Sequence, residues 1–355
     1  MQAFGGISRY FVELANNISS TPGVSVGVIS PLYINAYLAD SSNRVRVMGQ
    51  RVPEVRRTGR IYRTINNLLT PLWMRHFQPD LVHETYYSRC RLAPKGTKLV
   101  LTVHDMIHER FSESFPPGDA TSIDKRRAVE RADHVICISE QTRKDLLDRV
   151  DIDPGKTSVV HHGFSLTKQP MSVGPRSGRP YLLYVGNRGG YKNFESLLQA
   201  YAAEPLMQRE YDLVAFGGGP FNAQELALMH AHGLDERQLR QIAGNDAVLA
   251  DLYQHAALFV YPSRYEGFGI PPLEAMSFDC PVVCSNVSSI PEVVGDAAEF
   301  FNPDSSVELG KAIERVLNNA VLRQALISRG RERIKLFSWE RCAHQTLDIY
   351  RRLLP

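Results

Sequence analysis

Two carboxylates, Glu266 and Glu274, bracket the loop Gly267-Phe268-Gly269-Ile270 with seven residues between them. The apolar run from Leu258 to Tyr261 just before them reads as a buried strand that stops at Pro262. Pro271 or Pro272 then opens a helix, since proline suits a helical first turn. The backbone amides of Gly267 to Ile270 are therefore expected at a helix N-terminus. Gly267 and Gly269 lack a β-carbon and let a ligand come close to the main chain. A phosphate on those amides, with a carboxylate beside it to accept hydrogen bonds from a sugar diol, is the chemistry of a nucleotide-sugar site.

Three other stretches carry complementary chemistry. Tyr184 to Asn193 runs from a strand end through a glycine-rich loop bearing Arg188 and Lys192 into a helix. Two cations over a diphosphate would neutralise the charge building on a departing nucleoside diphosphate, a task otherwise given to a metal. Thr102-Val103-His104-Asp105 ends an apolar strand, and a histidine there points toward a ligand cleft, where it could bond a sugar hydroxyl or stabilise charge. Gly5-Gly6 precedes a helix with Ser8 as the expected N-cap, and its amides suit a phosphate or an acceptor. Taken alone, a histidine is more often structural; the combination with the other segments gives His104 weight. Gly217-Gly218-Gly219 offers one more close-approach loop, but it is not GxGxxG, which argues against hydride transfer on a dinucleotide. Asp151-Ile152-Asp153 formally matches the Asp-x-Asp of metal-dependent sugar transferases. Beside Pro154-Gly155 it reads as a turn, and neither a metal nor a cofactor is expected.

The 355 residues exceed one ordinary core, so two domains are expected. No apolar run reaches the roughly 18 residues of a membrane span, and no opening segment reads as a signal peptide. The five scattered cysteines read as reduced core thiols, which fits a cytoplasmic location. The net charge of +3 is uneven, being +5 over residues 1–165 and −2 over the rest. Between Arg44 and Arg63 seven arginines face only Glu54. That stretch is either a solvated loop and helix face or a patch for anionic lipid headgroups, placing the chain peripherally at the inner face of the cytoplasmic membrane. Tyr62 alone among aromatics falls within this stretch, short of the interleaved stacking residues that nucleic acid would require.

Strand and helix patterns alternate along the chain, the signature of parallel sheets with helical crossovers. Strands are expected at Val24–Ile29, Leu81–His83, Leu99–Val103, Val135–Ile138 and Ser158–His161, then at Tyr181–Val185, Asp212–Phe216, Leu258–Tyr261 and Pro281–Cys284. The reading is α/β, with two doubly wound, Rossmann-like domains facing a central cleft. They span residues 1–165 and 181–338, joined by a Gly/Pro-rich linker at 166–180 and followed by a last helix at 339–355. No strand precedes Gly5-Gly6, so Met1 reads as an internal methionine, and neighbouring strand edges are expected to lack a partner.

Together these segments resemble the family-4 retaining glycosyltransferases of the GT-B fold. The matching pieces are Gly5 to Tyr10, His104-Asp105, Gly186 to Asn193, Asp246 to Ala257, Pro262-Ser263, Glu266 to Glu274, Ile290 to Val293 and Phe337 to Glu340. The resemblance implies that Arg188 and Lys192 hold the donor diphosphate, and that Glu274 accepts the ribose hydroxyls. Glu266 and the Gly267, Phe268, Gly269 and Ile270 main chain would meet the transferred sugar. His104 would contact that sugar, Gly6 would border the phosphate, and the last helix would cross back to the first domain. It also implies transfer of a hexose to a saccharide or lipid-linked saccharide in cell-surface polysaccharide assembly. Mannose from GDP-mannose is favoured because the 187–193 loop resembles that of mannosyltransferase members of the family. UDP-sugars, and a binding protein without turnover, stay open. Asp279 stands where the family usually has glycine.

Overall fold

The computed structural model describes residues 5–40, 44–55, 58–166, 178–234 and 237–355. Most of the expected linker, residues 167–177, lies outside them. The chain forms two compact units, one of residues 1–163 with 338–355 and one of residues 164–337.

In the first unit the strands are β1 (Val26–Tyr33), β2 (Val45–Arg51), β3 (Leu81–Glu84), β4 (Lys98–Val103), β5 (His134–Cys137) and β6 (Thr157–Val159). β1 and β2 pair in parallel, and β3-β4-β5-β6 form a second parallel sheet. Among the described strands, β1 and β3 are each paired on one side only. β2 was not expected, because its arginines obscure the alternation. Val45 is buried while Arg46 and Arg51 face out, as suits an outer strand.

The helix Trp339–Leu353 belongs to this unit. Its apolar stripe of Trp339, Cys342, Ala343 and Leu347 packs with Tyr10, Leu14 and Ile18 of the helix Gly6–Ile18. That first helix begins with Gly5 in the N-cap position, three residues earlier than the Ser8 cap expected. The crossing is tight at Gly163, where an added β-carbon would stand 2.3 Å from Trp339 N and 2.6 Å from Ser338 C.

The second unit carries β7 (Tyr181–Val185), β8 (Asp212–Phe216), β9 (Leu239–Ile242), β10 (Leu258–Tyr261), β11 (Val282–Ser285) and β12 (Glu299–Phe301). All six are parallel in the order β12-β11-β10-β7-β8-β9. Counted within the unit this is the 3-2-1-4-5-6 order of a Rossmann sheet, with its switch point between β7 and β10. β7, β8, β10 and β11 are buried almost throughout, as strands covered on both faces must be. Helices including Phe194–Ala203 and Ser306–Asn318 cover the sheet through Leu197, Leu198, Leu309 and Ile313.

Asp279, in the place of a family glycine, has a positive φ of 60°. The backbone needs the left-handed region there, which explains the preference for glycine, and aspartate tolerates that region better than most side chains. Its carboxylate also takes two hydrogen bonds from Arg331, at 2.7 and 3.0 Å.

Gly163→Ala should destabilise the protein by about 1–3 kcal/mol, since the methyl group meets backbone that cannot rotate away. A melting temperature within a degree of wild type would contradict the packing described.

Candidate active site

In the second unit the site is built at the switch point. The loop after β7 carries Lys192, and the loop after β10 carries Glu266. Because β7 and β10 are neighbours, the two side chains meet, with Lys192 Nζ 2.7 Å from Glu266 Oε1. Lys192 also lies against the rings of Tyr191 and Tyr261, 5.2 and 6.0 Å from their centroids. Burial and the neighbouring Glu266 charge hold the Tyr261 hydroxyl protonated, well above its ordinary pKa.

Buried polar side chains join the two loops. Asn193, in the left-handed region at φ 58°, donates from Nδ2 to Pro262 O at 3.0 Å and Pro303 O at 2.9 Å. Arg264 N donates to Tyr191 O at 2.7 Å. On the far side, Ser288 Oγ and Ser289 Oγ donate to Glu266 O at 2.7 and 2.9 Å. Ser289 Oγ also reaches Phe268 O at 2.8 Å. These serines went unnoticed in the sequence, where they stand just before Ile290-Pro291-Glu292 as ordinary polar residues.

The helix after this loop runs Ile270–Ser277, one residue earlier than the prolines suggest. Gly269 is its N-cap at φ 103°. Gly267 to Ile270 thus sit at a helix N-terminus on the carboxyl side of β10, where a phosphate is favoured. Glu274 is buried in this helix and accepts from Tyr253 Oη at 3.3 Å.

Arg188 is bonded within the fold of the second unit. Its guanidinium turns into the Gly217–Pro220 loop and onto Glu225, with Nε 2.6 Å from Glu225 Oε1 and Nη1 2.8 Å from Gly217 O. The side chain is 3% exposed. Glu225 is a further residue missed in the sequence, since an Asn222-to-Glu225 capping box already accounts for it.

Within the first unit, His104 follows β4 directly and Gly6 stands at the start of the helix Gly6–Ile18. Gly6 leaves open space where a β-carbon would be. The His104 ring stacks on His162 at 5.8 Å and meets Tyr10 edge-on at 5.3 Å. Its Nε2 is buried and has no hydrogen-bond partner among the described residues. Next to it, His83 Nε2 bonds Thr102 Oγ1 at 2.8 Å while its Nδ1 bonds the Tyr350 hydroxyl. The turn after His104 is held by buried Lys125, whose Nζ donates to Asp105 O and Glu109 Oε2, both at 2.8 Å. The Asp153 carboxylate is spent on Gly155 N at 2.8 Å, as a turn residue. No group of three or more metal-binding side chains occurs among the described residues.

Burial pushes His83 down to about 3 and His104 down to about 4, and it holds His162 well below its ordinary value. The unfolded chain therefore binds protons below about pH 6.5 that the folded unit refuses. Stability is full above pH 6.5 and falls toward pH 5, a window above most carboxylate titrations. The slope should approach about 1.4 kcal/mol per pH unit for each imidazole. Melting temperatures that stay level from pH 7 to 5 would show that these imidazoles accept protons in the fold.

Known proteins bear on this geometry. The profile described as Glycosyltransferase Family 4 matches residues 4–168, and that described as Glycosyl transferases group 1 matches residues 167–333. O-antigen chain mannosyltransferase B of Escherichia coli is 41% identical over 269 residues, covering 72% of this chain and 71% of that protein. The serotype-specific mannosyltransferase WbdA of Escherichia coli is 29% identical over 275 residues, covering 72% of this chain but only 34% of WbdA. Sucrose-phosphate synthase from Thermosynechococcus elongatus superimposes with a TM-score of 0.79 at 22% identity, over 98% of this chain and 94% of that one. Fold and sequence agree: this chain belongs to the family-4 glycosyltransferases of the GT-B fold.

Proposed function

We propose that this protein is a retaining mannosyltransferase that moves mannose from GDP-mannose to a saccharide or lipid-linked saccharide during assembly of a bacterial surface polysaccharide. The observation that carries the reading is the contact of Lys192 with Glu266 beside the N-terminus of the Ile270–Ser277 helix. The sugar and the process rest on the similarity to the two mannosyltransferases of Escherichia coli. Lys192 faces the donor diphosphate and offsets the negative charge that grows as the nucleoside diphosphate leaves. The Gly267 to Ile270 main chain receives phosphate or sugar oxygens, and Glu274 accepts from the ribose. His104, neutral at physiological pH, offers its inward Nε2 to a sugar hydroxyl, with Gly6 bordering the phosphate. The acceptor attacks from the face the leaving group vacates, and a donor phosphate oxygen takes its proton, so Glu266 acts as a binding group and no metal is required. A UDP-sugar is the alternative donor.

A membrane surface is the proposed meeting place with a lipid-linked acceptor. No helix among the described residues is long and apolar enough to cross a bilayer. The helix Gly59–Phe77 instead exposes Ile61, Leu68 and Leu72, contains no Asp or Glu, and carries outward Arg63 and Arg75. Apolar and basic side chains on one outer helix suit the interface of an anionic bilayer. Replacing Leu68 and Leu72 together by Gln should weaken cosedimentation with phosphatidylglycerol vesicles about tenfold or more. Equal sedimentation of variant and wild type, or no preference for anionic over neutral vesicles, would remove the membrane from the proposal.

Donor choice is tested by melting the protein with GDP, UDP, ADP and their sugar conjugates. At 100 times its dissociation constant the true nucleotide should add about 2.7 kcal/mol of stability. GDP and GDP-mannose are expected to act alone, and a shift with UDP alone would replace the donor. Lys192→Ala should keep the fold and lose about 10²–10³ in transfer rate, by analogy with deleting one oxyanion donor. Near-wild-type turnover in that variant would refute its role. Donor binding without hydrolysis or transfer would identify a binding protein.

A further inference from the structure

Arg188 is enclosed on every side. Nε and Nη2 bond the two Glu225 oxygens at 2.6 and 3.1 Å. Nη1 bonds Gly217 O at 2.8 Å, and Nη2 also reaches Gly219 O at 2.9 Å and Pro220 O at 3.1 Å. The guanidinium lies 4.8 Å from the centre of the Phe221 ring. Gly217, Gly218 and Gly219 all adopt positive φ, at 90°, 67° and 71°, a succession that side chains with a β-carbon resist. At Gly218 a β-carbon would also stand 2.7 Å from Arg188 Nη1. The three glycines thus fold their carbonyls around one cation.

Swinging Arg188 out to a phosphate would leave these carbonyls and the Glu225 carboxylate without their donor, each a costly state in a closed environment. Lys192, four residues on, is more open, with a side chain 19% exposed. Resting on the proposed donor site, we infer that Arg188 is a positioning residue. It locks the loop after β7 to the glycine loop after β8, and it leaves the donor diphosphate to Lys192. The guanidinium fork is what the task needs, because an ammonium cannot direct donors at this many acceptors in fixed directions.

The rival reading makes Arg188 a phosphate ligand that Glu225 masks until the donor arrives. Two measurements separate them. The first is hydrogen exchange in ligand-free protein, which needs no donor. Arg188→Ala, Arg188→Lys and Glu225→Gln should each speed exchange across residues 216–222 at least tenfold, whereas Lys192→Ala should leave it unchanged. Unchanged protection in all three would overturn the inference whatever the donor proves to be. The second is the steady-state transfer rate with GDP-mannose, or with whichever nucleotide-sugar stabilises the wild type. Arg188→Lys and Arg188→Ala should raise donor KM alike, about tenfold, with kcat within threefold of wild type, and Glu225→Gln should shift KM the same way. Retention of wild-type KM by Arg188→Lys while Arg188→Ala loses it, or tighter donor binding in Glu225→Gln, would restore Arg188 to the phosphate. If no nucleotide binds the wild type, the donor site fails and the exchange result alone decides the role of Arg188.

Discussion

The adjacency of β7 and β10 is the constraint on which the site depends. In a parallel sheet of this order, chain leaving these two strands turns to opposite faces and opens a crevice at their carboxyl ends. Lys192 and Glu266 are 74 residues apart in sequence, yet strand pairing sets their separation before either side chain chooses a rotamer. The burial of β7 and β10 makes that pairing stiff. A helix N-terminus starting at Ile270 and the glycine loop after β8 open at the same end of the sheet. One crevice therefore gathers a cation, carboxylates, and backbone amides.

Holding such a crevice requires polar groups inside the protein, and most are matched to a partner. Asn193 and Ser289 tie loop carbonyls that no helix or strand ladder would satisfy. Arg188 performs the same service for the carbonyls of Gly217, Gly219 and Pro220. In the first unit, Lys125 pins the turn after His104, and the His83–Thr102–Tyr10 contacts support the helix over it. Rigid, fully bonded loops make a site preorganised, so little has to be rearranged when charge develops on a leaving group. His104 Nε2 and Ser263 Oγ are exceptions, both buried without a hydrogen-bond partner among the described residues.

Much of the second unit was legible from local pattern. Tyr181–Val185, Asp212–Phe216 and Leu258–Tyr261 are short apolar runs closed by glycine or proline, and they form strands within the expected bounds. Strands β2, β9 and β12 escaped because outer strands keep charged or polar residues among their apolar ones. Lys192, Glu266 and Glu274 were found through their loops, since glycine and proline mark where chain must turn sharply beside a ligand. Ser288, Ser289, Lys125 and Glu225 carry no such mark. Each bonds a residue at least 16 positions away, and nothing in their own neighbourhood shows it.

The sequence alone determined the family, the parallel α/β alternation, and the residue types that chemistry on a nucleotide-sugar needs. These follow from periodicity and from motifs read within ten or twelve residues. The tertiary structure alone decided the direction of Arg188. A guanidinium near a glycine-rich loop suits a phosphate or a ring of carbonyls equally well by type. The choice fell to the carbonyls because the β7–β8 pairing brings Gly217–Pro220 and Glu225 within reach. Long-range packing, which no local spacing encodes, set that distance.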